Sequence, residues 1–292
     1  MRAGVVIKAA GGFYYVRDEA AVYACVLRGR LRLQGRQVLV GDWVEYTATG
    51  GQTGVIENVL PRRTRLIRPP VANVDRAVLV FAFQEPSPNP LLIDRLLIQA
   101  GATGVVPVLC LNKADLGGKK AAGLISVYRP AGCPVLVTSA KTGAGLAVLR
   151  EVLRAGVSVF AGPSGAGKSS LLNALEPGLA LKTQAVSTKI GRGRHTTRHV
   201  ELLSLTGGGL VVDTPGFTGL ALPPLERTEL ASFFPEFQAY LPDCQFTGCL
   251  HAQEPGCAIK QAVAGGKISR LRYENYLKLL SEIIEQEKRK YD

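Results

Sequence analysis

One stretch restricts this chain more than any other: residues 160–170, FAGPSGAGKSS. Gly162, Gly167, Lys168 and Ser169 fit G-x-x-x-x-G-K-[ST], with Pro163, Ser164, Gly165 and Ala166 in its variable places. Such a loop needs a strand entering it and a helix leaving it. Val157-Ser158-Val159-Phe160 reads as the strand and residues 170–175, starting at Ser170, as the helix. The glycines let backbone N–H groups close around phosphate oxygens, and the helix N-terminus adds partial positive charge. Lys168 is then placed to reach β- and γ-phosphates, and the Ser169 hydroxyl to coordinate Mg²⁺. A glycine-rich turn matching by accident is the bland alternative, and the flanking strand and helix weigh against it.

Upstream the chain alternates buried-type strands with helices. Residues 77–82 and 105–111 are continuous apolar runs of the kind buried on both faces, with helical spacing over 91–102 between them. A helix over about 119–128 then leads to a third run, 133–138. This rhythm implies a parallel sheet whose ligands sit at the carboxyl ends of the strands. Two polar signatures fall there, Asn112-Lys113-Ala114-Asp115 and Ser139-Ala140-Lys141. A carboxylate at Asp115 accepts from both N1–H and the 2-amino group of guanine, whereas adenine offers neither donor and its N1 lone pair repels the carboxylate. Lys113 can lay its stem over the base, Asn112 can brace the loop, and the Ala140 N–H can serve guanine O6. Each signature alone is weak, with a capped polar turn as its alternative. Together with a phosphate loop they select GTP over ATP.

Downstream, residues 179–199 hold Lys182, Lys189, Arg192, Arg194 and Arg198 and no acidic residue. Thr196 and Thr197 both offer a hydroxyl to γ-phosphate and Mg²⁺, and Thr197 is slightly favoured. A strand at 209–212 delivers Asp213-Thr214-Pro215-Gly216, where Asp213 would hold Mg²⁺ through water and the Gly216 N–H would sense the γ-phosphate. The next residue, Phe217, has no polar atom with which to orient an attacking water. His195 is the candidate inside the chain for that task, and an exposed loop histidine is the equal alternative. GTPases of the ordinary kind run phosphate loop, threonine, D-x-x-G, N-K-x-D, S-A-K. This chain starts at N-K-x-D and ends at D-x-x-G, a circular permutation, which preserves strand pairing when a surface connection is cut and nearby termini are joined.

Residues 1–68 carry five short β-type runs, near 5–7, 12–16, 21–26, 43–46 and 54–59, which suggest an OB-type β-barrel. This segment holds eleven Lys/Arg against five Asp/Glu, within a chain of net charge +12. Arg28, Arg30, Arg32 and Arg36 lie between the third and fourth runs, with Tyr14, Tyr15 and Tyr23 nearby. A cationic groove with aromatic platforms binds nucleic acid, while a solvated loop and core tyrosines are the bland reading. Pro69-Pro70 marks the expected boundary to an α/β P-loop domain over 69–222. Residues 223–292 read as a mainly helical zinc-binding domain. Cys244, Cys249, His251 and Cys257 can satisfy one structural Zn²⁺, although Fe²⁺ or Co²⁺ suit the same donors. A helix over 268–290 follows, with Leu271, Tyr273, Tyr276 and Leu280 on its apolar side and Arg270, Arg272 and Lys278 on other faces. There is no run of eighteen apolar residues and no signal-peptide pattern, so a cytoplasmic protein without a membrane partner is expected.

The barrel, the permuted motif order and the Cys/His spacing together resemble the small ribosomal subunit-dependent GTPase A family, the circularly permuted GTPases of bacterial ribosome assembly. The resemblance covers essentially the whole chain. It implies hydrolysis of GTP to GDP and phosphate, slow alone and stimulated by the small (30S) ribosomal subunit, in late maturation of that subunit. Contact with 16S rRNA is implied with it, and a monomer is expected, although the sequence itself does not give the oligomeric state. A nucleotide-gated RNA-binding switch with little hydrolysis is the alternative.

Overall fold

The computed structural model describes residues 1–33, 35, 37–179, 181, 200–213 and 222–289. The five N-terminal runs form β1 (Arg2–Ala10), β2 (Phe13–Arg17), β3 (Val22–Leu27), β4 (Trp43–Gly50) and β5 (Thr53–Val59), with helix α1 (Gly29–Leu33) between β3 and β4. They close in the order β1-β2-β3-β5-β4, with β3 and β5 parallel, which is an OB barrel. Alternation closes it: Val6, Val16, Cys25, Val44, Tyr46 and Ile56 fill the interior while their neighbours face outward. On β1 those outward neighbours, Val5, Ile7 and Ala9, pack into the core of the next unit.

The barrel's basic segment is more structured than a solvated loop. Arg28 pairs with Glu57, and Arg30 donates to the Glu57 carbonyl at 3.1 Å. Tyr23 is a core residue, its ring centroid 5.2 Å from that of Tyr46, and Tyr14 packs on the same interior. Phe13 and Trp43 are the exposed aromatics instead. Arg36 lies outside the described residues.

The expected boundary at Pro69-Pro70 falls at the turn of a hairpin, β6 (Arg65–Ile67) and β7 (Pro70–Ala72). Then follow β8 (Arg76–Ala82), α2 (Pro90–Ala102), β9 (Val106–Asn112), α3 (Gly118–Tyr128), β10 (Val135–Val137), α4 (Leu146–Leu153), β11 (Val157–Ala161), α5 (Lys168–Leu175), β12 (Leu202–Ser204) and β13 (Leu210–Val212). The sheet order is β10-β9-β8-β11-β13-β12, parallel except for the edge strand β12. From β8 the chain steps outward through β9 to β10, and α4 then returns it to β11 on the other side of β8. The order therefore reverses between β8 and β11, where a parallel sheet opens a crevice at its carboxyl ends. The barrel meets this sheet at its edge: Lys8 on β1 bridges Glu201, with an ion pair at 2.9 Å, and Arg17 donates to Ser204.

The last unit is built from short 3-10 turns, α6 (Ala258–Ala264) and α7 (Arg270–Lys288) around Leu230, Phe234, Phe237, Ile259, Tyr276, Leu279 and Ile283. The sequence places Arg272 on a solvent-facing side of α7, and here the structure differs, with the side chain 1% exposed. Its Nε bonds Glu236 at 2.6 Å, its Nη1 bonds Asp94 of α2, and its guanidinium lies 4.5 Å over the Phe234 ring. Asn275 donates to Asp94 at 2.6 Å, and Arg95 pairs with Glu282 at 2.6 Å. Arg272 and Glu282 of α7 thus face α2, where Asp94 and Arg95 are their counter-charges.

Candidate functional site

β11 ends at Ala161 and α5 begins at Lys168, so Gly162 to Gly167 form the loop between them. Gly162 has φ 132°, and a Cβ there would lie 2.0 Å from the Val80 carbonyl oxygen. Gly167 has φ 93°, and its Cβ would lie 2.3 Å from Asn112 Nδ2. Neither place tolerates a side chain. Lys168 Nζ lies across the loop, donating to the Gly162 and Pro163 carbonyls at 2.8 Å each. Burial holds its pKa below that of an ordinary lysine. Ser164 is exposed, Ala166 is buried, and Gly165, Ser169 and Ser170 are half-buried.

Asn112, 1% exposed, joins three loops. Its Nδ2 donates to the Ala166 carbonyl at 2.9 Å, and its Oδ1 accepts from the Ala140 N–H and the Thr138 hydroxyl at 3.3 Å each. Asp115 is exposed and accepts from the Ser139 hydroxyl at 2.6 Å; that bond holds its pKa below the usual carboxylate value. Lys113, at φ 59°, donates from Nζ to the Glu85 carbonyl. Lys141 is exposed beyond Ala140. A cavity of about 480 Å³ lined by Phe83, Gln84, Glu85 and Leu124 opens beside this loop. Another of about 400 Å³ lies at the C-terminal ends of α4 and α5, lined by Leu153, Leu175 and the turn at 205–208, and holds none of the motif residues. Asp213 follows β13, its N–H bonded to the Glu201 carbonyl at 2.9 Å, so it too stands at the carboxyl edge. Thr196, Thr197, His195, Gly216 and Phe217 lie outside the described residues. Thr138 and Glu85 are partners that the motifs do not announce. Thr138 adjoins Ser139 and could have been suspected, whereas Glu85 has no signal 28 residues before Lys113.

Cys244, Cys249, His251 and Cys257 converge, their ligand atoms all within 4.8 Å of one another. His251 Nδ1 lies 3.5 Å from Cys244 Sγ and 3.6 Å from Cys257 Sγ. A tetrahedral ion with metal–sulfur and metal–nitrogen bonds of about 2.3 and 2.0 Å requires an S···N edge of about 3.5 Å, so the donors fit a metal ion with no open position. The surroundings fix this loop. Tyr273 and Tyr276 of α7 donate to the His251 and Leu250 carbonyls at 2.8 and 2.9 Å, and Glu254 accepts from the Leu250 and Ala252 N–H groups at 2.8 and 2.9 Å.

A family model described as RsgA N-terminal domain matches residues 3–56, and one described as RsgA GTPase matches residues 59–223. This chain belongs to the RsgA GTPase family. A relative from Moorella thermoacetica, named small ribosomal subunit biogenesis GTPase RsgA, is 50% identical over 285 residues and 98% of each chain. YjeQ from Thermotoga maritima is 40% identical, with a TM-score of 0.85 over 97% of this chain and 98% of its own. YloQ, described as a circularly permuted GTPase, is also 40% identical, with a TM-score of 0.85 over 98% of this chain and 96% of its own. As a member of the RsgA GTPase family the chain is a GTP hydrolase that uses Mg²⁺. Among the described residues no helix is long and apolar enough to cross a membrane.

Proposed function

We propose that this GTPase acts in the cytoplasm on the small (30S) ribosomal subunit, late in its maturation, as a monomer in contact with 16S rRNA. The ribosomal reading is supported by the relative named small ribosomal subunit biogenesis GTPase RsgA, 50% identical over 98% of this chain, and its nucleotide site by Asn112, whose single side chain ties the loop suited to guanine to the phosphate loop and to Ala140. Around it, residues 162–170 would wrap the phosphates, Asp115 would read the base edge, and the Lys113 stem would cover its face. Lys168 would exchange the Gly162 and Pro163 carbonyls for β- and γ-phosphate oxygens, where its charge opposes the negative charge that builds as water attacks. Ser169, Asp213 and Thr197 are a hard oxygen donor set that suits Mg²⁺, which when bound supplies charge neutralisation to the β,γ-phosphates. Gly216 would sense the γ-phosphate, and either His195 or a group from the partner would orient the water. The metal held by Cys244, Cys249, His251 and Cys257 is zinc in this reading, and its role is structural. Residues 1–68 and 223–292 then serve as the two flanks that meet RNA, with 69–222 as the catalytic unit.

The test is steady-state hydrolysis by the purified protein with and without small subunits, with ATP and large subunits as controls. Stimulation by small subunits alone is expected. Guanine binding without that stimulation would discard the ribosomal assignment and leave the nucleotide-gated RNA-binding switch.

A further inference from the structure

Four non-glycine residues among those described have a left-handed backbone: Asn73, Glu85, Lys113 and His251, at φ 54°, 52°, 59° and 56°. That conformation crowds the Cβ, so it persists only where the surroundings hold it, and functional sites collect it. Three of the four have an account. The Asn73 side chain donates to the Gly41 carbonyl at 2.9 Å and accepts from the Arg63 N–H at 2.9 Å. Lys113 turns the chain out of β9 into the loop suited to guanine, and His251 belongs to the Cys/His cluster. Glu85 is the fourth, and no motif includes it.

Glu85 lies in the connection from β8 to α2, which touches both halves of the nucleotide site. At its entry the Phe83 N–H donates to the Asn112 carbonyl at 3.0 Å. Two residues on, the Glu85 carbonyl accepts from Lys113 Nζ. Pro86 then faces the phosphate loop, where a Cβ on Gly165 would lie 3.4 Å from Pro86 Cδ. At the exit Asn89 Oδ1 accepts from the Leu92 N–H at 3.2 Å and caps α2. Between these points Gln84, Glu85 and Ser87 are exposed and line the cavity of about 480 Å³, so burial does little to hold the turn. The Glu85 carboxylate has no hydrogen bond or ion pair among the described residues, so its bond to Lys113 is made by the backbone alone.

We infer that Glu85 is a positioning residue for the base: its left-handed backbone turns its carbonyl onto Lys113 Nζ, and that bond lays the lysine stem where guanine is covered. The inference rests on the reading of residues 112–115 as the guanine loop. A lysine stem has several rotatable bonds, and fixing its tip removes that freedom before the base arrives. GTP and GDP carry the same base, so both gain equally. Because the carbonyl does the holding, a substitute must keep the φ and need not keep the carboxylate. Glycine and asparagine adopt a left-handed φ readily, whereas a β-branched residue does not.

The test uses the full chain with Glu85→Val, Glu85→Asn and Glu85→Gly. It measures GTP and GDP affinity with fluorescent analogues, kcat and KM for unstimulated hydrolysis, and inhibition by tripolyphosphate, which can fill the phosphate loop but has no base. Glu85→Val is expected to weaken GTP and GDP binding by one common factor, about tenfold. KM should rise by that factor, with kcat and tripolyphosphate inhibition unchanged. Glu85→Asn and Glu85→Gly should stay within about threefold of wild type. In a Lys113→Met background, which keeps a stem and removes Nζ, Glu85→Val should have no further effect. Wild-type nucleotide affinity in Glu85→Val would overturn the inference. So would an equal loss in all three variants, which assigns the role to the carboxylate, or a parallel loss of tripolyphosphate inhibition, which means the whole site is disturbed. Full additivity with Lys113→Met would sink it as well. Equal affinity of the wild type for GTP and ATP would instead remove the guanine reading of Lys113 and Asp115, and this inference with it.

Discussion

Replacing Arg272 by Met tests whether the C-terminal unit is bolted to α2 by charge. The side chain is 1% exposed and faces two carboxylates, Asp94 at 0% and Glu236 at 7%. Two negative groups share one guanidinium, and burial lifts the pKa of Asp94 against the pull of Arg272 and Asn275. Methionine keeps much of the packing over Phe234 and removes the charge, so the main loss is an unpaired buried carboxylate. Breaking a buried pair from one side costs about 3–5 kcal/mol. At about 1.4 kcal/mol per decade, hydrogen exchange of the α7 amides should quicken by roughly 10² to 10⁴ at neutral pH. The pH dependence has a definite sign. A carboxylate whose folded pKa is raised favours folding at pH below its unfolded pKa and loses that contribution as pH rises through the folded value. Without Arg272 the lift on Asp94 is unopposed, so the penalty should be largest near neutrality and shrink towards pH 5. Adding Asp94→Asn should flatten that dependence and recover part of the protection. Exchange within about threefold of wild type at neutral pH, or a penalty that grows in acid, would refute the reasoning.

Gly162→Ala should abolish nucleotide binding rather than weaken it slightly, because the new Cβ would meet the Val80 carbonyl at 2.0 Å in a left-handed conformation; titration with a fluorescent GTP analogue at concentrations to about 100 times the wild-type Kd checks this. Burial lowers the pKa of Lys168 and a bound phosphate restores its charge, so GTP affinity should begin to fall, as pH rises, below the pH at which an ordinary lysine titrates. Calorimetry should show proton uptake on binding in that range, and Lys168→Arg should remove it. If the Cys/His cluster holds one metal ion, Cys257→Ser should drop the metal content from about one ion per chain to near zero and speed exchange over 244–257, while GTP binding persists; a variant that keeps its metal would refute the four-ligand assignment.

The nucleotide motifs were legible because phosphate and guanine chemistry each demand particular atoms at short spacing. Gly162 to Ser169, Asn112 to Asp115 and Ser139 to Lys141 all stand at the carboxyl ends of their strands. The cluster of Cys244, Cys249, His251 and Cys257 was legible for the same reason, its members lying within fourteen positions. Short elements escaped: β6, β7 and β12 have three residues each, too few to show a period. Tyr23 and Arg272 were misread for a shared reason, since an amphipathic side chain signals its own chemistry and not which partner covers it.

What the sequence determined alone was the set of loops and their order, since a permuted order is simply read along the chain. The tertiary structure decided which side chains are committed. Among the arginines of the first seventy residues, Arg2, Arg28, Arg62 and Arg63 are paired with carboxylates, whereas the Arg65 and Arg68 side chains are exposed. The physical reason is range. Backbone-controlled features such as loops and turns are set by residues a few positions apart, whereas pairings such as Arg272 with Asp94, 178 residues away, exist only once the packing of α7 on α2 has brought them together.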